Sequence, residues 1–476
     1  MSAHAPFLRG GNLRRSLGTT LNGLLALVPP ADLMLAKRRV HEEAFARGLT
    51  YEDDDGAARA LPILLRPRIL GGNQRAYLHE CARTLERAYL RIFRLWHEHT
   101  GVRRILPLMP REERWMRDLA RPDSPDEVLY GRFDASTDFG SADWVKSTQF
   151  FEFNPIGSGG TYIAPTVDDI ILKHVVPLLR RHAPTVLVEV NDDPRRVLLE
   201  VLADHARALR LKRFNIALCQ YKDLVGGVTE FPANTAYFRE LGINCFHVDP
   251  RELRARGDEL YYGDHGIDLV YRDHEINDLA AKEEAGDDVS GLKQAIRLGR
   301  CVSSLAGEFD HKSAFQIFTS PEFTSFFSSD ERRVFHKHVP WTRIIADTRT
   351  TDSEGREVEL LDWLRRNRER CVLKPNRAYG GEGIEIGIDT DAATWERSLE
   401  RAVSEPDLWV VQGYRPVAEK DFPVIDEEGN MGLAEHFTVL GLFSSTQRLG
   451  ILGRASRRKV VNVAQKGGLV AVLRLL

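Results

Sequence analysis

A chain of 476 residues is long enough for two to four structural units, each with its own core. Its 28% charged and 43% apolar residues are those of an ordinary globular protein, and 66 basic against 69 acidic side chains exclude the strongly basic balance of a nucleic-acid partner. The five cysteines, Cys81, Cys219, Cys245, Cys301 and Cys371, are odd in number and never form a C-x-x-C pair, which argues against a zinc knuckle or disulfide framework and for a reducing cytoplasm.

The first segment, 1–125, reads as mostly helical. Arg14-Arg15 precede the apolar run Leu24-Leu25-Ala26-Leu27-Val28, but the run is too short for a signal sequence and no stretch approaches membrane-spanning length, so no membrane partner is expected. Within 74–99, Leu78, Cys81, Leu85, Tyr89, Ile92 and Trp96 recur at three- and four-residue spacing, the pattern of an amphipathic helix packed on one face. A stretch rich in proline and charge, 107–126, then breaks the periodicity.

The segment 126–184 holds two expected strands. One carries Gly131-Arg132-Phe133-Asp134; the other, Gln149-Phe150-Phe151-Glu152-Phe153-Asn154, is aromatic-rich and runs into the loop composition Pro155-Ile156-Gly157-Ser158-Gly159-Gly160. Residues 185–280 repeat a strand–helix–strand rhythm, with strands at 215–219, 244–248 and 267–271 and a helix at 235–241 closed by Gly242, which predicts a small doubly wound parallel sheet. Its first turn has no G-x-G-x-x-G, so a dinucleotide role is not indicated. Asp273-His274-Glu275 follow the third strand, where Arg272 and Glu275 are candidates for touching a substrate.

In the segment 281–476 a helical connector leads to Pro340-Trp341-Thr342-Arg343, a strand ending in Lys374-Pro375, a Gly380-Gly381-Glu382-Gly383 turn, and a strand at 408–412. The chain closes on strands at 449–454, 460–463 and 468–473, as in an antiparallel α+β sheet. The fold class predicted from these elements is α/β, with a helical N-terminal region and α+β character in the closing strands.

Small residues let backbone N–H groups approach phosphate oxygens closely, and a lysine on the preceding strand neutralises phosphate charge. Lys374 with Gly380, Gly381 and Gly383 has that arrangement, although an ordinary glycine hairpin beside a surface lysine would read the same way. A strand follows at Ile384-Glu385-Ile386, where dinucleotide and Walker-type loops both require a helix. Asp134, Glu152 and Asn154 supply hard oxygen ligands, and Glu-x-Asn on one strand turns both side chains to the same face, which suits Mg²⁺ held between protein and phosphates. Taken alone, the Glu-x-Asn also fits a plain turn entry. His97 with His99, and His336 with His338, stand two residues apart, which on a helix places them on different faces and argues against metal binding.

The combined set, Arg132-Phe133-Asp134, Glu152-Phe153-Asn154, Lys374-Pro375 and Gly380-Gly381-Glu382-Gly383, resembles the ATP-grasp superfamily. Because the Glu-x-Asn precedes the glycine flap, it is similar to the circularly permuted branch typified by glutathionylspermidine synthetase; Val270-Tyr271-Arg272 and Gly450-Ile451-Leu452-Gly453-Arg454 with Asn462 resemble its pre-grasp unit and closing arginine strand. The resemblance implies an ATP-grasp core with a small Rossmann-like pre-grasp domain at 185–280, and ATP with one or two Mg²⁺ as cofactors. It implies that Asp134, Glu152 and Asn154 hold the metal, that Arg132 and Arg454 are catalytic, and that Lys374 with the glycines covers the phosphates. Gln412-Gly413-Tyr414 corresponds to the hinge that hydrogen-bonds adenine through its backbone. The second phosphate cation lies among Lys312, Lys337 and Arg343, with Arg343 preferred. Asp138 and Asp143 compete for the metal role, and Pro-Ile-Gly-Ser-Gly-Gly-Thr stands where the family has A-D-x-P-T. The implied activity is ligation of a small-molecule or peptide carboxylate to an amine; a phosphotransferase on the same site and a catalytically silent ATP-binding scaffold are the alternatives.

Overall fold

The computed structural model describes residues 13–53, 56–121, 127–223, 228, 230–378, 380–405, 408–461 and 467–476. The largest sheet runs in the order Ile63–Leu70, Gly468–Leu475, Leu449–Ser456, Met431–Ser444, Arg132–Ser136, Gln149–Asn154, with Glu419–Ile425 beside Met431–Ser444 and Val188–Val190 beside Gly468–Leu475. Its pairings are antiparallel except that of Ile63–Leu70 with Gly468–Leu475.

Strands from both ends of the chain thus lie side by side in the sheet whose far end is formed by the Arg132 and Glu152 strands, and all four segments of the chain contribute to it. Helices Leu13–Ala26, Pro30–Ala46, Gly72–Glu98, Thr100–Ile105 and Pro110–Leu119 make up most of the first segment, and Ile63–Leu70 is a strand that the sequence reading did not single out. Arg66, Pro67 and Arg68 interrupt its apolar pattern, yet both arginines are buried, Arg66 over the Phe422 ring at 5.0 Å and Arg68 over Phe139 at 4.9 Å.

The expected amphipathic helix is Gly72–Glu98, and all six periodic residues are buried. Ala82, Ala88, Phe93 and Leu95 are buried as well, so the helix is covered on more than one face. Tyr89 reaches the Phe153 ring at 4.7 Å, and Phe153 stacks on Phe133 at 4.0 Å. The N-terminal region therefore backs the two motif strands directly.

The 185–280 unit is a parallel sheet in the order Cys301–Val302, Leu269–Arg272, Ile216–Cys219, Cys245–Val248, its edge strand Cys301–Val302 supplied by the segment that follows. Its helix Glu230–Glu240 gives way at Gly242, where φ is +80°. A further antiparallel sheet has the order Thr342–Ile344, Trp409–Gly413, Cys371–Pro375, Glu385–Ile386. Leu373 pairs with Glu385, so the glycine segment is the tip of a hairpin whose far side is a strand. The strand expected at 460–463 lies partly outside the described residues, and Val460 and Val461 are not in a strand. All five cysteines are free and buried. Among the described residues no helix is long and apolar enough to cross a membrane.

Candidate active site

Arg132 and Asp134 stand two apart on one strand, Glu152 and Asn154 two apart on the next, so each pair shares a face while Phe133 and Phe153 turn into the core. In the register Arg132 faces Asn154 and Asp134 faces Glu152; between Asp134 and Ala135 the pairing shifts and skips Phe151. This bulge adds Phe151 to the same face as Glu152. From the other sheet, Val372, Lys374 and Gln412 face the same space, whereas Cys371, Leu373, Trp409 and Val411 pack into a core on the reverse side.

Between the two sheets lies a cleft of about 570 Å³. Asp134, Glu152 and Asn154 line it together with Arg132, Arg454, Lys374, Gly380, Gly381, Gln412 and Tyr414. The Gly157–Gly159 loop and Asp273, Glu275 and Asp278 at the end of the parallel sheet close the remaining side.

Much of the charge inside the cleft is paired. Asp134 receives Arg132 through Nε at 2.7 Å and Nη2 at 3.3 Å, and Arg454 Nη2 stands 2.7 Å from the same carboxylate. Burial pushes the Asp134 carboxyl up, but the two guanidiniums outweigh it and hold its pKa at about 2. Burial lowers Lys374 to about 8 against the pull of Glu152, and its ammonium sits 5.7 Å over the Phe151 ring. Burial and the neighbouring Glu308 carboxylate raise Glu275 to about 7 despite Arg377.

Asn154 donates Nδ2 to the Arg132 carbonyl at 3.2 Å, which leaves its amide oxygen as the acceptor end. Among the described residues no three His, Cys, Asp or Glu side chains form a metal cluster. Two carboxylates and an amide oxygen on one face are the partial set expected for Mg²⁺ when phosphate oxygens and water complete its octahedron, so the residues present fit that ion.

Several expected residues lie elsewhere. Arg343 does not line the cleft. Its cross-strand partner is Val411, on the core side of the sheet, and its guanidinium bonds Thr350 Oγ1 at 2.9 Å and Thr351 Oγ1 at 2.8 Å. Lys337 is exposed on the helix Ser329–His338. Lys312 instead reaches the motif strands, with Nζ 2.7 Å from Glu152 Oε1 and 2.8 Å from the Ala378 carbonyl at the base of the glycine hairpin. Only a run of consecutive polar residues, Asp310-His311-Lys312-Ser313, set between Phe309 and Phe315, marks it in the sequence, and all four are buried.

Gly380 and Gly381, at φ +71° and +73°, line the cleft, but Gly383 turns against Pro375 and Trp409. At the expected hinge the N–H groups of Gly413 and Tyr414 already donate to the carbonyls of Trp341 and Arg370, each at 2.7 Å. A ligand would therefore have to use other groups there. Asp138 pairs with Lys420 at 2.6 Å, Asp143 is exposed beside Lys146, and neither lines the cleft. Arg272 is a buried structural cation on Glu308 at 2.5 Å, whereas Glu275 does face the cleft. Asn462 lies outside the described residues. Lys459, which no sequence pattern marked, lines the cleft and pairs with Asp389 at 2.6 Å.

Gly131 precedes Arg132 because Asn154 and Pro155 cross against it: an added Cβ would stand 2.4 Å from the Asn154 carbonyl oxygen and 2.5 Å from Pro155 Cα. Both are backbone atoms, so the strands themselves would have to part. Gly131→Ala is expected to lower stability by about 1–3 kcal/mol, the range for overpacking. Thermal unfolding checks this; an unchanged midpoint would show that the strands yield freely.

The mixed α/β architecture recurs among solved structures. A solved structure that shares it is the apo form of a glutathione synthetase-like effector (GSS30) from Globodera pallida, 12% identical, which matches over 93% of this chain and 97% of its own with a TM-score of 0.63. No protein-family model and no curated protein matches the sequence.

Proposed function

We propose that the chain is an ATP-dependent carboxylate–amine ligase of the circularly permuted ATP-grasp type, akin to the glutathionylspermidine synthetase-like branch. The observation that carries the reading is the convergence on one cleft of Asp134, Glu152 and Asn154 from one sheet and Lys374, Gly380 and Gly381 from another. The order of the two halves along the chain supports the permuted type, and the shared fold of a glutathione synthetase-like protein supports a ligase.

A carboxylate is a poor electrophile, so it first takes the γ-phosphoryl group of ATP, releasing ADP; the amine then attacks the acyl phosphate carbon, phosphate leaves, and the amine's proton passes to a base. Lys374 and Lys312 bind phosphate oxygens. Arg132 and Arg454 hold the carboxylate and receive the charge that grows on it, a task of positioning and electrostatic stabilisation. Asp134, Glu152 and Asn154 would hold one or two Mg²⁺, which supply charge neutralisation between the phosphates. The Gly380–Gly381 tip shuts water away from the acyl phosphate.

The test offers the protein MgATP, hydroxylamine and a panel of amino acids, short peptides and simple carboxylic acids. Hydroxylamine traps an acyl phosphate as a hydroxamate, so one class of carboxylate is expected to give hydroxamate, ADP and free phosphate in equal amounts. A labelled γ-phosphate that stays on the product would instead establish a phosphotransferase. Absence of ATP binding in calorimetry would remove both readings. The metal assignment has its own readout: Mg²⁺ should tighten ADP binding to the parent and not to Glu152→Gln, and an equal gain in both would remove Glu152 from the metal set.

A further inference from the structure

Glu230 opens the helix Glu230–Glu240 of the parallel-sheet unit, yet its carboxylate is buried, at 8% exposure, in the loop that follows Asn154. Oε1 accepts the Gly160 N–H at 2.6 Å; Oε2 accepts the Tyr162 N–H at 2.6 Å and the Thr161 hydroxyl at 2.8 Å. One turn further along, Asn234 Nδ2 donates to the same Thr161 hydroxyl oxygen at 2.8 Å. The donors of this loop are thus filled by a carboxylate of the protein itself. The helix Ile163–His174 starts here, and its positive end favours the anion.

The other side of the loop carries Arg132. Its Nη1 donates to the Gly159 carbonyl at 2.6 Å, and a Cβ added to Gly159 would lie 3.3 Å from Glu230 Oε1. Glu230 is also among the carboxylates, after Asp134 and Glu152, that favour the charged form of the buried Arg132. A carboxylate suits this place because it only accepts: three donors converge on it, and a glutamine would turn its NH₂ against one of them.

We propose that Glu230 is a positioning residue for Arg132: by clamping residues 160–162 it fixes the Gly159 carbonyl on which the guanidinium rests, and so ties the aim of Arg132 to the parallel-sheet unit. The inference rests on the reading above, in which Arg132 acts at the reacting carboxylate. A displaced guanidinium costs rate, while the phosphate contacts of Lys374 and the glycine hairpin on the other sheet are untouched.

The experiment compares Glu230→Gln, Glu230→Asp and Glu230→Ala in the full chain, with sodium formate as the probe of the emptied anion position. In the hydroxamate assay Glu230→Gln is expected to lower kcat about ten- to a hundredfold with the KM for ATP unchanged. Glu230→Asp should recover part of the loss, and formate should restore both kcat and thermal stability to Glu230→Ala but not affect the parent. A Glu230→Gln protein with a lower unfolding midpoint and a parental kcat would make Glu230 purely structural and overturn the proposal. A second measurement holds independently of turnover: the midpoint losses of Glu230→Gln and Arg132→Met should fall short of additivity in the double variant, since the two act through one loop. Additive losses overturn the clamp even if the ligase reading stands; a parent without turnover removes the ligase reading and leaves the clamp to the unfolding cycle.

Discussion

Arg132→Ala is expected to lower turnover by a factor on the order of a hundred to a thousand, about 3–4 kcal/mol, while the apparent affinity for ATP stays near that of the parent. The guanidinium bonds Asp134 with Nε and Nη2 and the Gly159 carbonyl with Nη1, so its orientation is set before any substrate arrives. A cation pre-oriented in a buried cleft costs no reorganisation when negative charge develops beside it. Removing it also unbalances Asp134, which keeps only Arg454 as a partner, so Arg132→Lys is the necessary companion. Lysine keeps the charge but not the planar fork; it should recover a minor part of the rate. Steady-state kinetics on the substrate found by hydroxamate trapping decides the matter, and a near-normal kcat in Arg132→Ala would reduce Arg132 to a structural partner of Asp134.

Lys374→Met should weaken ADP and ATP binding roughly ten- to a hundredfold, the equivalent of about 1.5–3 kcal/mol for hydrogen bonds to a charged group. The same substitution should make the ligand-free protein more stable at pH 7. Burial lowers the Lys374 pKa from 10.5 to about 8, so below pH 8 the folded protein carries the cost of a desolvated ammonium. Between pH 8 and 10.5 the unfolded chain binds more protons than the folded one, and stability rises with pH through that window by at most about 3 kcal/mol. Nucleotide affinity has the opposite sign. Phosphate favours the ammonium, so affinity is greatest below pH 8 and declines as pH rises above it. Calorimetric titration and thermal unfolding at pH 7 and pH 9 test both trends, and Lys374→Met should flatten them. Equal ADP affinity in parent and variant would take Lys374 out of the phosphate site.

Much of the site was legible because it is written in local periodicity. Arg132 with Asp134, and Glu152 with Asn154, stand two apart on strands, and that spacing alone obliges each pair to share a face. The hairpin after Lys374 was likewise visible in the glycines and in the apolar alternation beyond them. The sequence does not name the partner of each strand. Arg343 follows a promising Pro-Trp-Thr, but pairing with Val411 turns it to the core, while Lys312, marked only by a short polar run, reaches Glu152.

By itself, then, the sequence determined most of the element types, the alternation of strands and helices in the parallel-sheet unit, and the faces shared by the motif residues, because all of these depend on neighbours within a few positions. Tertiary structure alone decided that Ile63–Leu70 joins the central sheet, that a bulge brings Phe151 beside Glu152, and that Glu230 fills the loop behind Arg132. Those outcomes turn on pairing register and on burial of charges between segments far apart in the chain, where a shift of one residue would reverse which side chain faces the cleft.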